Sequence, residues 1–145
     1  MKKIVAILGV FALLSFMSYK FLFKKDDQKY LSQGIEYFNE NRFKEAMVYF
    51  DMAEKLGNTD ALKYSGVIYL ESGNPQKAIP RLKSYLDHLD SEHEDRKTIL
   101  NDLGVAYFKI NDIQNAKLYW EKASALGNET SLNNLKELEK SNTNY

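Results

Sequence analysis

The sequence predicts an all-α protein: an α-solenoid of three helical hairpins, closed by a C-terminal capping helix and preceded by an N-terminal transmembrane helix. Three observations lead there. An uncharged apolar run opens the chain, a residue pattern recurs three times behind it, and glycine or asparagine stands wherever a helix has to stop.

The apolar run comes first. After Lys2 and Lys3, the 16 residues Ile4 to Tyr19 carry no charge, and Phe21, Leu22 and Phe23 extend the run beyond Lys20. A bilayer core needs roughly 20 helical residues, with about 17 as the lower bound, and Lys20 can snorkel its ammonium to the interface. Residues 1–25 are therefore expected to be a membrane anchor or signal-anchor. A cleaved secretory signal would end in small residues at the third and first positions before the cut. Ser15 with Met17 and Phe16 with Ser18 each fail at one of them. Lys2 and Lys3 on one side nearly balance Lys20, Lys24 and Lys25 on the other, so the positive-inside rule is close to neutral. The signal-like layout favours a single-pass protein of a bacterial inner membrane with its domain outside the cytoplasm. A cleaved signal with a secreted or periplasmic domain, and a domain facing the cytoplasm, are the alternatives.

Composition bounds the rest of the chain. The 145 residues, 44% hydrophobic and 28% charged, describe one modest folded domain. The formal net charge is zero, yet five of the 20 Lys and Arg lie in the first 25 residues, where there is no acid. The remainder carries 15 bases against 20 acids, a net of −5. Such a domain has no electrostatic reason to hold a phosphate backbone, so nucleic acid is not an expected partner. With no cysteine, disulfides, zinc–thiolate sites and thiol catalysis are excluded.

The repeat is anchored on Gly34, Gly66 and Gly104, spaced 32 and 38 residues apart. Three residues after each stands a tyrosine (Tyr37, Tyr69, Tyr107) and twelve after an alanine (Ala46, Ala78, Ala116). Sixteen after comes a large apolar side chain (Phe50, Leu82, Trp120), and nineteen after come Ala53, Tyr85 and Ala123. Small residues let two helix backbones approach, and the tyrosine and the large side chain fill the space beside that contact. Asn41, Gly73–Asn74 and Asn111–Asp112 divide each hairpin, while Gly57–Asn58 and Gly127–Asn128 separate hairpins. The repeats are thus about 27–58, 59–90 and 91–128 in a domain spanning 26–140. Pro75 suits a helix start, and Pro80 predicts a local bend. The six extra residues of the longer period fall in Asp87 to Arg96, where Ser91 and Glu94 suggest a capping box and a third hairpin opening with a lengthened helix. Leu132, Leu135 and Leu138 form one stripe on a cap over 129–140, and 141–145 reads as a flexible tail.

From Lys29 to Asn128 this spacing resembles the tetratricopeptide repeat (TPR) family. The stretches Ala53-Glu-Lys-Leu-Gly-Asn58 and Ala123-Ser-Ala-Leu-Gly-Asn128 look like the unit ends of its Sel-type relatives. Gln33 and Ser65 depart from the leucine that usually precedes the glycine and that Leu103 retains. Tyr85 replaces the last small residue of the second unit, so that hairpin is expected to pack less regularly. The resemblance implies a right-handed solenoid whose first helices line a concave groove for a peptide or helix. Slot by slot, the groove residues would be Leu31, Ile35, Phe38 and Asn39, then Lys63, Val67, Leu70 and Glu71, then Asn101, Val105, Phe108 and Lys109. Relatives that grip a C-terminal carboxylate place asparagine directly after the glycine. Here those slots hold Ile35, Val67 and Val105, so a protein or peptide partner presenting apolar side chains is expected instead. The same residues can alternatively pack neighbouring helices together or be covered by the chain's own N-terminal segment.

His88 and His93 share an acidic stretch with Asp87, Asp90, Glu92, Glu94 and Asp95. Five residues apart, the histidines point in different directions on a helix, so a solvated turn is expected there and no metal. No nucleophile–base spacing and no phosphate-cradling loop is present, so neither an enzyme nor a cofactor is expected. The expected function is a membrane-tethered protein-interaction scaffold of adaptor or co-chaperone type. The alternatives are a structural subunit assembled through helix faces and an inhibitor or immunity-type protein that binds one enzyme. Self-association stays open.

Overall fold

Helix formation follows one three-point stripe, used three times. Ala46, Phe50 and Ala53 recur at spacings of four and three, as do Ala78, Leu82 and Tyr85, and Ala116, Trp120 and Ala123. That spacing puts each trio on one helix face, and each trio is buried. The computed structural model describes residues 26–143, with side chains through 140. The expected anchor over residues 1–25 lies outside the described residues. Among the described residues no helix is long and apolar enough to cross a membrane.

The described residues form seven helices and no strand: α1 (residues 26–39), α2 (Phe43–Lys55), α3 (Asp60–Glu71), α4 (Pro75–His88), α5 (Arg96–Lys109), α6 (Ile113–Ala125) and α7 (Glu129–Thr143). The chain divides into two units, Met1–Asn58 and Thr59–Tyr145, at the boundary between the first and second repeats.

Within the first unit, α1 and α2 make one hairpin. Gly34 leaves the room that Phe50 fills: a Cβ there would lie 2.5 Å from Phe50 Cε1. Leu31 joins Ala46, Phe50 and Ala53 in its core. Tyr37 stacks on Tyr49 at 5.3 Å, and the Arg42 guanidinium covers the Tyr37 ring at 4.4 Å. Asn58 closes the unit by donating from Nδ2 to the buried Asp27 Oδ2 at 3.3 Å.

The second unit holds two hairpins, α3–α4 and α5–α6, followed by α7. Here α3 touches α5 and α5 touches α7, while α4 and α6 do not touch each other. That is a curved stack with the first helices inside. The buried cluster runs through Leu62, Leu70, Ala78, Leu82, Tyr85, Ile99, Leu103 and Ala106.

The turns repeat atom for atom. The carbonyls of Tyr37, Tyr69 and Tyr107 accept from the N–H of Arg42, Asn74 and Asp112 at 2.9, 2.8 and 2.9 Å. Between them the backbone crosses to positive φ at Asn41 (59°), Gly73 (74°) and Asn111 (63°), conformations that asparagine and glycine tolerate best. Asn58 and Asn128 N–H close the ends of α2 and α6 on the carbonyls of Ala53 and Ala123, both at 3.0 Å.

Several expectations are corrected. The six extra residues do not lengthen α5, which begins at Arg96; residues 89–95 form a loop. Asp95, and not Ser91, stands at its N-cap, and the Asp95 carboxylate is engaged elsewhere. Tyr85 Oη and Lys63 Nζ each donate to Asp95 Oδ2 at 2.7 Å. The bulky Tyr85 is therefore seated in the core, with its hydroxyl satisfied by the loop beyond it. Ser65 has a counterpart of its own: Arg81 Nη1 donates to Ser65 Oγ at 3.0 Å. Helix α4 continues through Pro80, which agrees with the expectation of a bend there and not a break. On α7, Ser131 is buried and Leu132 is 43% exposed, so the apolar stripe is narrower than its three leucines suggest. The helix continues to Thr143, three residues past the expected cap.

Two consequences are testable. Gly104→Ala places a Cβ 2.5 Å from Trp120 Nε1. Overpacking should outweigh the gain in helix propensity and lower stability by about 1–2 kcal/mol in urea unfolding. At Asp95, burial works to raise the carboxyl pKa, but the bonds from Lys63 and Tyr85 prevail and hold it below its ordinary 3.8. A depressed carboxylate stabilises the fold above its unfolded pKa, and that contribution is lost as pH falls through the folded value. Asp95→Asn should therefore cost about 1–2 kcal/mol at pH 7. The gap to wild type should close on acidification below about pH 4, read by unfolding at a series of pH values.

Candidate interaction pocket on the third hairpin

The second unit leaves an apolar hollow on the inner layer, between α5 and α7. Val105 and Phe108 from α5, Trp120 from α6, and Asn134, Glu137 and Leu138 from α7 line about 380 Å³. Its depth comes from the glycine contact: Trp120 rests against Gly104 and spans the hairpin to reach the inner side. Phe108 leans on it, with centroids 5.6 Å apart and planes tilted by 40°, yet stays 48% exposed. A phenylalanine left so open at the mouth of an apolar hollow is the kind of anchor a partner covers.

The expected groove residues differ in their surroundings within each unit. Val105 and Phe108 meet in the hollow. Val67 and Val105 flank the buried cluster, and Leu70, 7% exposed, belongs to it. Leu31 is likewise a core residue of the first unit, 7% exposed. Ile35 is half-buried, and Phe38 packs on Phe43 at 5.7 Å. Lys63 is held by Asp95, so its charge is already matched. Asn101 Oδ1 accepts from Ser131 Oγ at 2.8 Å and ties α5 to α7. Asn39, Glu71 and Lys109 are exposed at their helix ends.

Trp120, Asn134, Glu137 and Leu138 escaped the slot-by-slot assignment because that scheme draws only on first helices. Leu138 was visible as part of the cap stripe, and Trp120 as the large residue of its repeat. Asp102 was missed altogether. Burial pushes its carboxyl up to about 6; the Asn101 amide at 3.5 Å works against that, and the charge of Glu71 adds to it. Its signal was an acid three residues before Val105, on the same helix face.

The histidines do not converge: His88 Nδ1 lies 2.6 Å from the Ser84 carbonyl, and His93 Nδ1 accepts from Asp95 N–H at 3.2 Å. No group of three or more metal-ligating side chains gathers among the described residues.

No family model and no curated protein matches this sequence. Among solved structures, the N-terminal domain of stress-induced protein-1 (STI-1) from C. elegans is similar, with a TM-score of 0.70 at 18% identity. The match covers 81% of this chain and 97% of that one. The likeness is one of fold, an all-helical, TPR-like repeat.

The raised Asp102 makes a prediction with the opposite sign to Asp95. The folded state holds this proton more tightly than the unfolded chain, so stability falls as pH rises from about 4 to 6 and stays reduced above. Asp102→Asn should gain on the order of 2 kcal/mol over wild type at pH 7.5 and little below about pH 3.5 in urea unfolding.

Proposed function

We propose that this chain is a membrane-tethered protein-interaction module of tetratricopeptide type, a right-handed solenoid that holds a protein or peptide partner through the apolar surface of its inner helices. The observation that carries this reading is the open hollow between α5 and α7 with Phe108 exposed at its mouth. The fold shared with the STI-1 N-terminal domain supports it. Tethering rests on the apolar run in residues 1–25, and its layout favours a domain on the outer side of a bacterial inner membrane.

A second reading, a structural subunit assembled through helix faces, draws on α2. Val48 and Met52, one turn apart, are 52% and 39% exposed there.

Affinity capture from detergent-solubilised membranes separates the two. Wild type should retain a partner that Phe108→Asp loses by tenfold or more, since a buried aromatic anchor is worth about 2 kcal/mol or more. Identical recovery by both proteins would remove the hollow as the binding site, and loss on Val48→Asp instead would favour assembly through α2. The same preparation reads the tether: an alkaline wash that strips the chain from membranes rules it out.

A further inference from the structure

On α2, Glu45, Val48, Met52 and Lys55 stand at spacings of three, four and three, which puts them on one face of the helix. That face points away from the hairpin, since the buried trio Ala46, Phe50 and Ala53 takes the opposite side, and all four side chains are exposed. The repeat supplies a comparison. The slots of Val48 and Met52 hold Pro80 and Ser84 on α4 and Leu118 and Lys122 on α6, so of the three second helices only α2 is apolar at both. Glu45 in the first turn and Lys55 in the last suit the helix dipole, but the two apolar side chains between them have no such reason to face water. Arg42 holds Glu45 in an exposed pair at 2.9 Å, and Lys55 enters no ion pair among the described residues.

Read along the helix the stripe runs acid, apolar, apolar, base, and a second copy laid against it in reverse is its complement. With the two helices antiparallel about a two-fold axis at the level of residue 50, position 45 faces 55 of the second copy and position 48 faces 52. Both Glu45–Lys55 contacts and both Val48–Met52 contacts then form at once, as an isologous interface requires. We propose that this face of α2 is where two copies of the chain pair, α2 against α2 in antiparallel register. A parallel pairing would set Glu45 against Glu45 and Lys55 against Lys55, which like-charge repulsion disfavours. Four side chains from each copy make a small contact, so the pair belongs with weak, reversible associations. The inference names the occupant in the reading of assembly through α2 and does not draw on the hollow.

The chain has no cysteine, so an introduced thiol reports only on its own position. Full-length chains carrying Glu45→Cys are mixed in nonionic detergent with chains carrying Lys55→Cys and treated with a mild oxidant. The antiparallel register brings the two thiols together and leaves the other Glu45–Lys55 contact of that pair intact. In either variant alone the paired thiols are ten residues apart along the helix, about 15 Å, beyond the reach of a disulfide. The mixture should therefore yield roughly fivefold or more the cross-linked dimer of either variant alone. Adding Val48→Asp to both chains should abolish that excess, because it sets a carboxylate against Met52 in each half of the contact; Val48 is exposed, so the change leaves the hairpin folded. Cross-linking of either variant alone to the level of the mixture overturns the antiparallel register, and an excess that survives Val48→Asp overturns the apolar stripe as the contact. No cross-link in the mixture overturns pairing between copies. Loss of a different captured protein on Val48→Asp, with no cross-link, likewise overturns the second copy as occupant while assembly through α2 stands.

Discussion

A large side chain seated on each of Gly34, Gly66 and Gly104 is the constraint on which the rest depends. At each point the missing Cβ is replaced by a neighbouring side chain: Phe50, Leu82 or Trp120. Covering a glycine backbone with a large side chain fixes the depth and register of the hairpin together. That register brings the tyrosine three residues later opposite Tyr49, Arg81 and Tyr119 in turn. The pairs Tyr37–Tyr49 and Tyr107–Tyr119 both stack at 5.3 Å, and the Arg81 guanidinium lies 5.5 Å from the Tyr69 ring centroid. The third hairpin differs because its covering residue is a tryptophan. The indole is long enough to touch Gly104 and still form a wall of the hollow. Its Nε1 finds no hydrogen-bond partner among the described residues. A buried N–H left so costs about 1–3 kcal/mol, which the packing of the ring against Gly104 and Phe108 has to offset.

Tyr85 and the loop over residues 89–95 are one feature seen from two sides. Where α2 and α6 carry Ala53 and Ala123 near their ends and close in a Gly-Asn turn, α4 runs into the loop beyond His88 and carries Tyr85 at the matching slot. The extra residues supply Asp95 to receive its hydroxyl, and Arg96 braces the loop by donating to the Leu89 carbonyl at 3.2 Å. Lys63 completes the arrangement, and in doing so leaves the inner surface without a free cation at that position. The packing accommodation around Tyr85 thus also fixes the position of Lys63 on α3.

The helical repeat was legible because close packing restricts residue types at fixed spacings: glycine where backbones meet, alanine where helices cross, asparagine or glycine where the chain turns to positive φ. Those restrictions act within about 20 residues of chain, so they survive as a period that a single sequence displays. The capping box at Ser91 misled because Asp95 has a stronger claim on its surroundings through Lys63, 32 residues away. Leu70 and Leu31 misled because a helix slot names a position, and whether it faces a groove or a core depends on the neighbouring helix.

The sequence by itself determined the three hairpins, their turns, the covered glycines and the apolar run at the N-terminus, since each follows from local backbone chemistry or hydrophobic length. Tertiary structure alone decided which inner residues remain open. The hollow needs Trp120 from a second helix and Leu138 from the cap, and Asp102 takes its raised pKa from burial and from Glu71 on another helix. Exposure and charge at a site are sums over residues far apart in the chain, and no local pattern carries such a sum.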